Sequence, residues 1–171
     1  MRLLRRATLI GIPKKPSGVR PIAMGESFVK VAARLLLLSD RGLTGIHAVG
    51  DSQFAFEKCG TEQIIHRVRQ LLRRDASTHA VLVDCRNAFN TIRRKAIRDV
   101  LMSNPHLVPL RALFNAMYVE QSELIVRGAG LDCAVICGSE GVRQGDVLGP
   151  LLFCIGLKPI LERTQSIFAE M

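Results

Sequence analysis

Three short stretches carry residue types able to act on a charged substrate. VLVDCRNAFN (81–90) ends an apolar run on a carboxylate, Asp84, and sets an aromatic, Phe89, a few residues later. IPKKPSGVRPI (12–22) gathers Lys14, Lys15 and Arg20 around Pro16 and Gly18. GVRQGDVLGP (141–150) places Arg143, Gln144 and Asp146 among glycines. Each has an ordinary reading when taken alone. An acid at a strand end is most often a helix cap, and a basic hairpin tip is usually a solvated turn. The third stretch reads as a helix start with Asp146 as N-cap.

The elements that must position these residues follow from periodicity. Residues 8–24 read as a hairpin, with Pro16 and Gly18 supplying its turn chemistry and two lysines its basic tip. Residues 26–38 are helical by the spacing of Phe28, Val31, Ala32, Leu35 and Leu36, and Gly42 and Gly45 are expected to end that helix. Residues 61–74 form a second helix, with Ile64, Ile65, Val68, Leu71 and Leu72 on one face. Arg67, Arg69, Arg73 and Arg74 fall mostly outside that face. The run from Ala80 to Asp84 predicts a strand covered on both sides. Residues 91–103 are helical, with Ile92, Ala96, Ile97, Val100 and Leu101 inward and Arg93, Arg94, Lys95 and Arg98 outward; Asn104-Pro105 stops them. A helix over 107–118, two strands over 123–127 and 133–137 about a Gly-Ala-Gly turn, and an apolar helix over 147–167 complete the chain. Helices interleaved with a few strands point to an α+β fold.

Bulk composition narrows the function classes. The chain has 171 residues, enough for one ordinary domain or part of a larger one, and 48% are apolar, which excludes a disordered tail. A net charge of +9 calls for a polyanionic partner, most simply nucleic acid, although an acidic membrane surface would suit the same number. One Tyr, seven Phe and no Trp argue against an aromatic base-stacking platform. Cys59, Cys85, Cys133, Cys137 and Cys154 are odd in number and lack zinc spacing. They are expected to be buried, and to belong in a reducing intracellular compartment, the nucleus among the candidates. The four histidines show no ligand spacing. No apolar run is long enough to span a membrane, and MRLLRRATLIG lacks a signal peptide's apolar core and cleavage site.

In order along the chain, IPKKPSGVRPI, VDCRNAFN and GVRQGDVLGPLLF resemble successive motifs of the reverse transcriptases of non-LTR (LINE-like) retrotransposons. SQFAFEKCGTEQIIHRV resembles the segment that precedes the first catalytic strand of that family. The resemblance covers about residues 8–161, and VDCRNAFN is reminiscent of site-specific elements of trypanosomatid type. It implies a palm-and-fingers polymerase fold with helices on a small antiparallel sheet. Residues 1–75 would form a fingers-like region and 76–171 part of the palm.

The resemblance also assigns roles. Nucleotidyl transfer in such a palm uses two Mg²⁺ ions, with Mn²⁺ as a substitute, held by hard carboxylate oxygens. Asp84 would be the first ligand, and the Cys85 backbone carbonyl would face the second metal. Lys14 or Lys15, together with Arg20, would neutralise the incoming triphosphate. Phe89 would pack against the sugar, and Asn90 stands where relatives often carry Asp. Gln144 and Gly145 would lie along template and nucleotide, with Arg143 adding a phosphate contact. Arg67, Arg73, Arg93 and Arg94 are candidate contacts to nucleic acid, and Asp146 reads as structural rather than metal-binding. RNA template, DNA primer and dNTP are the implied partners; no membrane is implied, and oligomeric state is not legible.

One family feature is missing. The family's second acidic motif, an aromatic-x-Asp-Asp hairpin, follows GVRQGD by some tens of residues, yet no Asp-Asp pair occurs in this chain. The expectation is therefore a reverse transcriptase fragment that is catalytic only within a longer polypeptide. A non-catalytic nucleic-acid-binding module is the second reading, and a degenerate product without function the third.

Overall fold

The computed structural model describes residues 3–50, 52–127 and 133–169. Strands β1 (Ala7–Pro13) and β2 (Val19–Gly25) form the basic hairpin, closed at its tip where the Lys14 amide donates to the Gly18 carbonyl at 2.9 Å. Strands β3 (Ser122–Arg127) and β4 (Cys133–Gly138) form a second hairpin. Both hairpins are antiparallel, but β1 joins β3 in parallel, through Ala7–Leu124 to Leu9–Val126, in the order β2-β1-β3-β4. The sheet is therefore mixed rather than wholly antiparallel, and it takes two strands from each side of the boundary expected at residue 75. The Gly128-Ala129-Gly130 turn lies outside the described residues.

Seven helices accompany the sheet among the described residues: α1 (Ser27–Leu38), α2 (Asp40–His47), α3 (Gly60–Arg74), α4 (Ala88–Thr91), α5 (Arg94–Ser103), α6 (Val108–Tyr118) and α7 (Gly149–Ala169). The α+β class read from the sequence holds. The core lies where α1, α2, α5, α6 and α7 meet, around Ile97, Leu101, Leu110, Phe114, Leu151, Leu152 and Ile155. Each such side chain contributes about 1.5–3 kcal/mol on burial. Arg111 ties the α5 end to α6 by donating from Nε to the Leu101 carbonyl at 2.7 Å.

Several expectations are corrected by packing. Residues 81–85 take no strand conformation, and Val81, Leu82 and Val83 are 83, 93 and 82% exposed. An apolar run becomes a strand only when a neighbouring backbone takes up its N–H and C=O groups, and no described strand lies beside this one. Helix α1 forms as expected but turns a different face inward: Ala33 is buried and Val29, Leu36 and Leu37 pack on the core, while Phe28, Val31 and Leu35 are exposed. Gly42 and Gly45 do not stop α1. Ser39 does, its hydroxyl accepting from the Gly42 amide at 3.2 Å to start α2, inside which both glycines are buried at close packing contacts. The helix expected over 91–103 is interrupted at Ile92–Arg93, leaving the short α4 apart from α5.

The cysteines also depart from expectation. Only Cys154 is buried; Cys59, Cys85, Cys133 and Cys137 are exposed. Burial pushes the Cys154 thiol up, which lowers its thiolate fraction further. Mass spectrometry after brief native alkylation should therefore find adducts at the four exposed cysteines, with Cys154 modified only in denaturant. Fast native labelling of Cys154 would contradict the packing of α7.

Candidate functional site

The three stretches singled out in the sequence converge on one groove of about 170 Å³. The hairpin contributes Lys14, Val19, Arg20 and Pro21; the segment around α4 contributes Asn87, Ala88, Phe89 and Asn90; the glycine-rich turn contributes Gln144. Arg20 stands opposite Ile12 beside the tip of the hairpin, and Lys14 follows β1 directly. Asn87 turns the chain with φ 52°, a left-handed conformation that Asn tolerates better than most residues. That turn starts α4 and delivers Phe89 to the groove. The Phe89 ring is held by stacking on Phe153 of α7, with centroids 4.9 Å apart and planes 7° from parallel.

Backbone hydrogen bonds lock the stretches to one another. The Gly141 amide donates to the Ile92 carbonyl at 3.1 Å and the Val142 amide to the Phe89 carbonyl at 2.7 Å, joining the turn to α4. The Ala23 amide donates to the Gln144 carbonyl at 2.8 Å, joining the same turn to β2. Two glycines make these approaches feasible. Gly141 sits at φ +68°, and a Cβ there would overlap the Asn90 backbone; Gly145 sits at φ +104°, where a Cβ would come within 3.0 Å of the Ala23 carbonyl.

Beneath Gln144 lies a buried polar cluster. The Tyr118 hydroxyl donates to Asp146, whose other carboxylate oxygen accepts the Leu148 amide at 3.1 Å. Asp146 thus braces the turn ahead of α7, as the structural reading of the sequence expects. Burial, reinforced by the Asp146 charge and hydrogen bond, pushes the Tyr118 phenol well above its ordinary value. Arg143 is 7% exposed, and its guanidinium donates to the Arg5 carbonyl and the Ser122 hydroxyl, both at 2.6 Å. Arg94 donates to the carbonyls of Gly141, Tyr118, Glu120 and Glu140. Both guanidinium groups lie over the Tyr118 ring, at 5.7 and 5.3 Å from its centroid. Burial draws both arginines below their usual values.

The remaining sequence candidates separate into groups. Lys14 lines the groove; Lys15 and Gly145 do not, and Gly145 packs against Ile22 and Ala23 of β2. Asp84 and Cys85 are exposed in the extended segment before the 86–87 turn and do not line the groove. Arg67, Arg73 and Arg93 are exposed, whereas Arg143 and Arg94 are spent on backbone and side-chain oxygens of their own chain. An outward Arg94 was expected from helical spacing, but the helix interruption at Ile92–Arg93 moves it to the first turn of α5, where four carbonyls meet it. Tyr118, Ser122 and Phe153 went unnoticed in the sequence. A single Tyr at a helix end gives no signal of its own, since its partner Asp146 is 28 residues away.

The groove's charged lining residues, Lys14 and Arg20, are both cations, which suits a polyphosphate. The resemblance also implies a divalent cation. Among the described residues, however, no three His, Cys, Asp or Glu side chains are grouped to hold a metal ion. Asp84 offers one carboxylate, so the residues present do not by themselves fit that ion. No described helix is long and apolar enough to cross a membrane.

Comparison with known proteins supplies the family. The model for "Reverse transcriptase (RNA-dependent DNA polymerase)" matches residues 12–170. The chain is 30% identical over 168 residues to the retrotransposable element SLACS 132 kDa protein of Trypanosoma brucei gambiense, covering 96% of this chain and 14% of that protein. It is 28% identical over 152 residues to a probable RNA-directed DNA polymerase from transposon X-element of Drosophila melanogaster, covering 83% of this chain and 16% of that protein. The chain therefore spans about a seventh of the length of these relatives, and the retrotransposon resemblance carried by the three stretches is borne out. With a family match over nearly its whole length, the chain belongs to the reverse transcriptase (RNA-dependent DNA polymerase) family.

Proposed function

We propose that the groove between hairpin, α4 and the glycine-rich turn is the incoming-nucleotide site of an RNA-directed DNA polymerase. The observation that carries this reading is the convergence of Lys14, Arg20, Phe89 and Gln144 on one cavity. Lys14 and Arg20 hold the triphosphate by charge-assisted hydrogen bonds. The Phe89 face, fixed by its stack on Phe153, bounds the sugar. Gln144, pinned through its carbonyl to Ala23, keeps its side chain free to meet the base pair of nucleotide and template. Asp84 would supply one carboxylate to the divalent-ion site that the family chemistry implies, and the ions would activate the attacking hydroxyl and neutralise phosphate charge. Primer and RNA template are the macromolecular partners, and the exposed thiols favour a reducing intracellular compartment.

A titration with a fluorescent dNTP tests the groove. Arg20→Ala should weaken binding roughly tenfold, the loss of one charge-assisted contact. Arg98→Ala, at an exposed site on α5, should leave it unchanged. Equal affinities for the two variants would remove the assignment.

A second reading, a nucleic-acid-binding module without catalysis, is favoured by exposed Arg67, Arg69, Arg73 and Arg74 along α3. With about three phosphate contacts to a duplex, affinity should drop roughly 40-fold for a fourfold rise in salt, through counterion release. Filter binding of a primer–template duplex across a salt series measures the slope. A flat response would mean that the α3 arginines are merely solvated.

A further inference from the structure

We propose that the outer face of α1 docks an amphipathic helix of a partner protein whose apolar seam is rimmed by acidic side chains. Helix α1 carries two apolar faces. The inner one is spent on the core, with Ala33 buried and Val29, Leu36 and Leu37 packed against it. The outer one consists of Phe28, Val31, Leu35 and Leu38, which are 84, 58, 64 and 67% exposed. Single exposed leucines are ordinary, but four large apolar side chains aligned on one helix are not. Their spacing, i, i+3, i+7 and i+10, is that of a heptad seam, and at 1.5 Å per residue the seam is about 15 Å long. A facing helix of roughly three turns would cover it.

Charge selects the occupant. Arg34 is exposed between Val31 and Leu35, Lys30 stands one turn before it on α1, and exposed Arg41 belongs to α2, past the end of the seam. None of the three has an ion-pair partner among the described residues. Glu26 and Asp40 stand beyond the two ends of the seam rather than along it. A second copy of the chain would bring Arg34 toward its own counterpart between molecules that each carry +9, which opposes self-pairing. The chain's own amphipathic helix α3 is likewise rimmed by arginines. Glutamates or aspartates flanking an apolar seam would instead pair with Lys30 and Arg34 while burying the four hydrophobes. The inference does not depend on the nucleotide groove.

Two designed peptides test it against the whole chain by fluorescence anisotropy. Both carry leucine at the seam positions; one has a glutamate rim, the other a lysine rim. The glutamate peptide should bind at least about tenfold more tightly, and Leu35→Glu should cost about tenfold without moving the urea midpoint, because Leu35 is exposed. Arg34→Glu should reverse the peptide preference. Equal binding of both peptides, or binding indifferent to Leu35→Glu, would overturn the proposal. So would occupation of the stripe by something else: a dimer in sedimentation that Leu35→Glu dissolves, or adsorption to phosphatidylserine vesicles that it abolishes.

Discussion

Replacing Gly141 by alanine should lower the chain's stability by about 2–4 kcal/mol and weaken nucleotide binding with it. The effect is large because two penalties coincide. At φ +68° an L side chain is strained, and the added Cβ would overlap the Asn90 backbone, which cannot move as a flexible side chain can. Relief requires the turn to retreat from α4. That retreat breaks the Gly141–Ile92 and Val142–Phe89 hydrogen bonds and releases Phe89 and Gln144 from their common groove. Gly138→Ala is the control. Its Cβ would meet the Leu124 side chain at 3.4 Å, and side-chain adjustment should hold the cost to about 1 kcal/mol or less. Urea midpoints of the three proteins, with dNTP titrations under native conditions, give the comparison. A Gly141→Ala protein with unchanged midpoint and affinity would mean that the joint is not rigid.

The chain of residues 1–171 should leave a primer unextended on an RNA template with dNTPs and Mg²⁺ or Mn²⁺. The reason is the count of carboxylates at positions matched to the reaction. In the proposed site Asp84 is the one such residue. Asp146 is committed to the Tyr118 hydroxyl and the Leu148 amide, and Glu162 lies 3.6 Å from Lys158 on α7. Losing carboxylates that activate the nucleophile and stabilise charge costs several kcal/mol, a deficit of about a thousandfold or more in rate. A longer polypeptide carrying an aromatic-x-Asp-Asp hairpin should extend the primer, and Asp84→Asn within it should abolish extension. Robust extension by residues 1–171 alone, lost on Asp84→Asn, would contradict this account of the site.

What the sequence determined by itself was local chemistry and local periodicity. The hairpin over residues 8–24 was legible because Pro16 and Gly18 specify a turn between two apolar runs. Helices α3, α6 and α7 were legible from period alone. Lys14, Arg20, Phe89 and Gln144 could be named because the order of three short stretches resembles one family's motifs. Tertiary structure decided everything that required a partner distant in sequence. Which face of α1 points inward depended on where α2 and α6 lie, because both faces are apolar and periodicity cannot choose between them. Whether Val81–Val83 becomes a strand depended on a neighbouring backbone. Arg143 and Arg94 looked like phosphate contacts because a guanidinium is usually exposed. Their burial against Tyr118 and the carbonyls of Arg5 and Gly141 rests on contacts across 24 to 138 residues of chain. Such pairings leave no periodic trace, since they are set by the path of the whole backbone and not by the residues beside them.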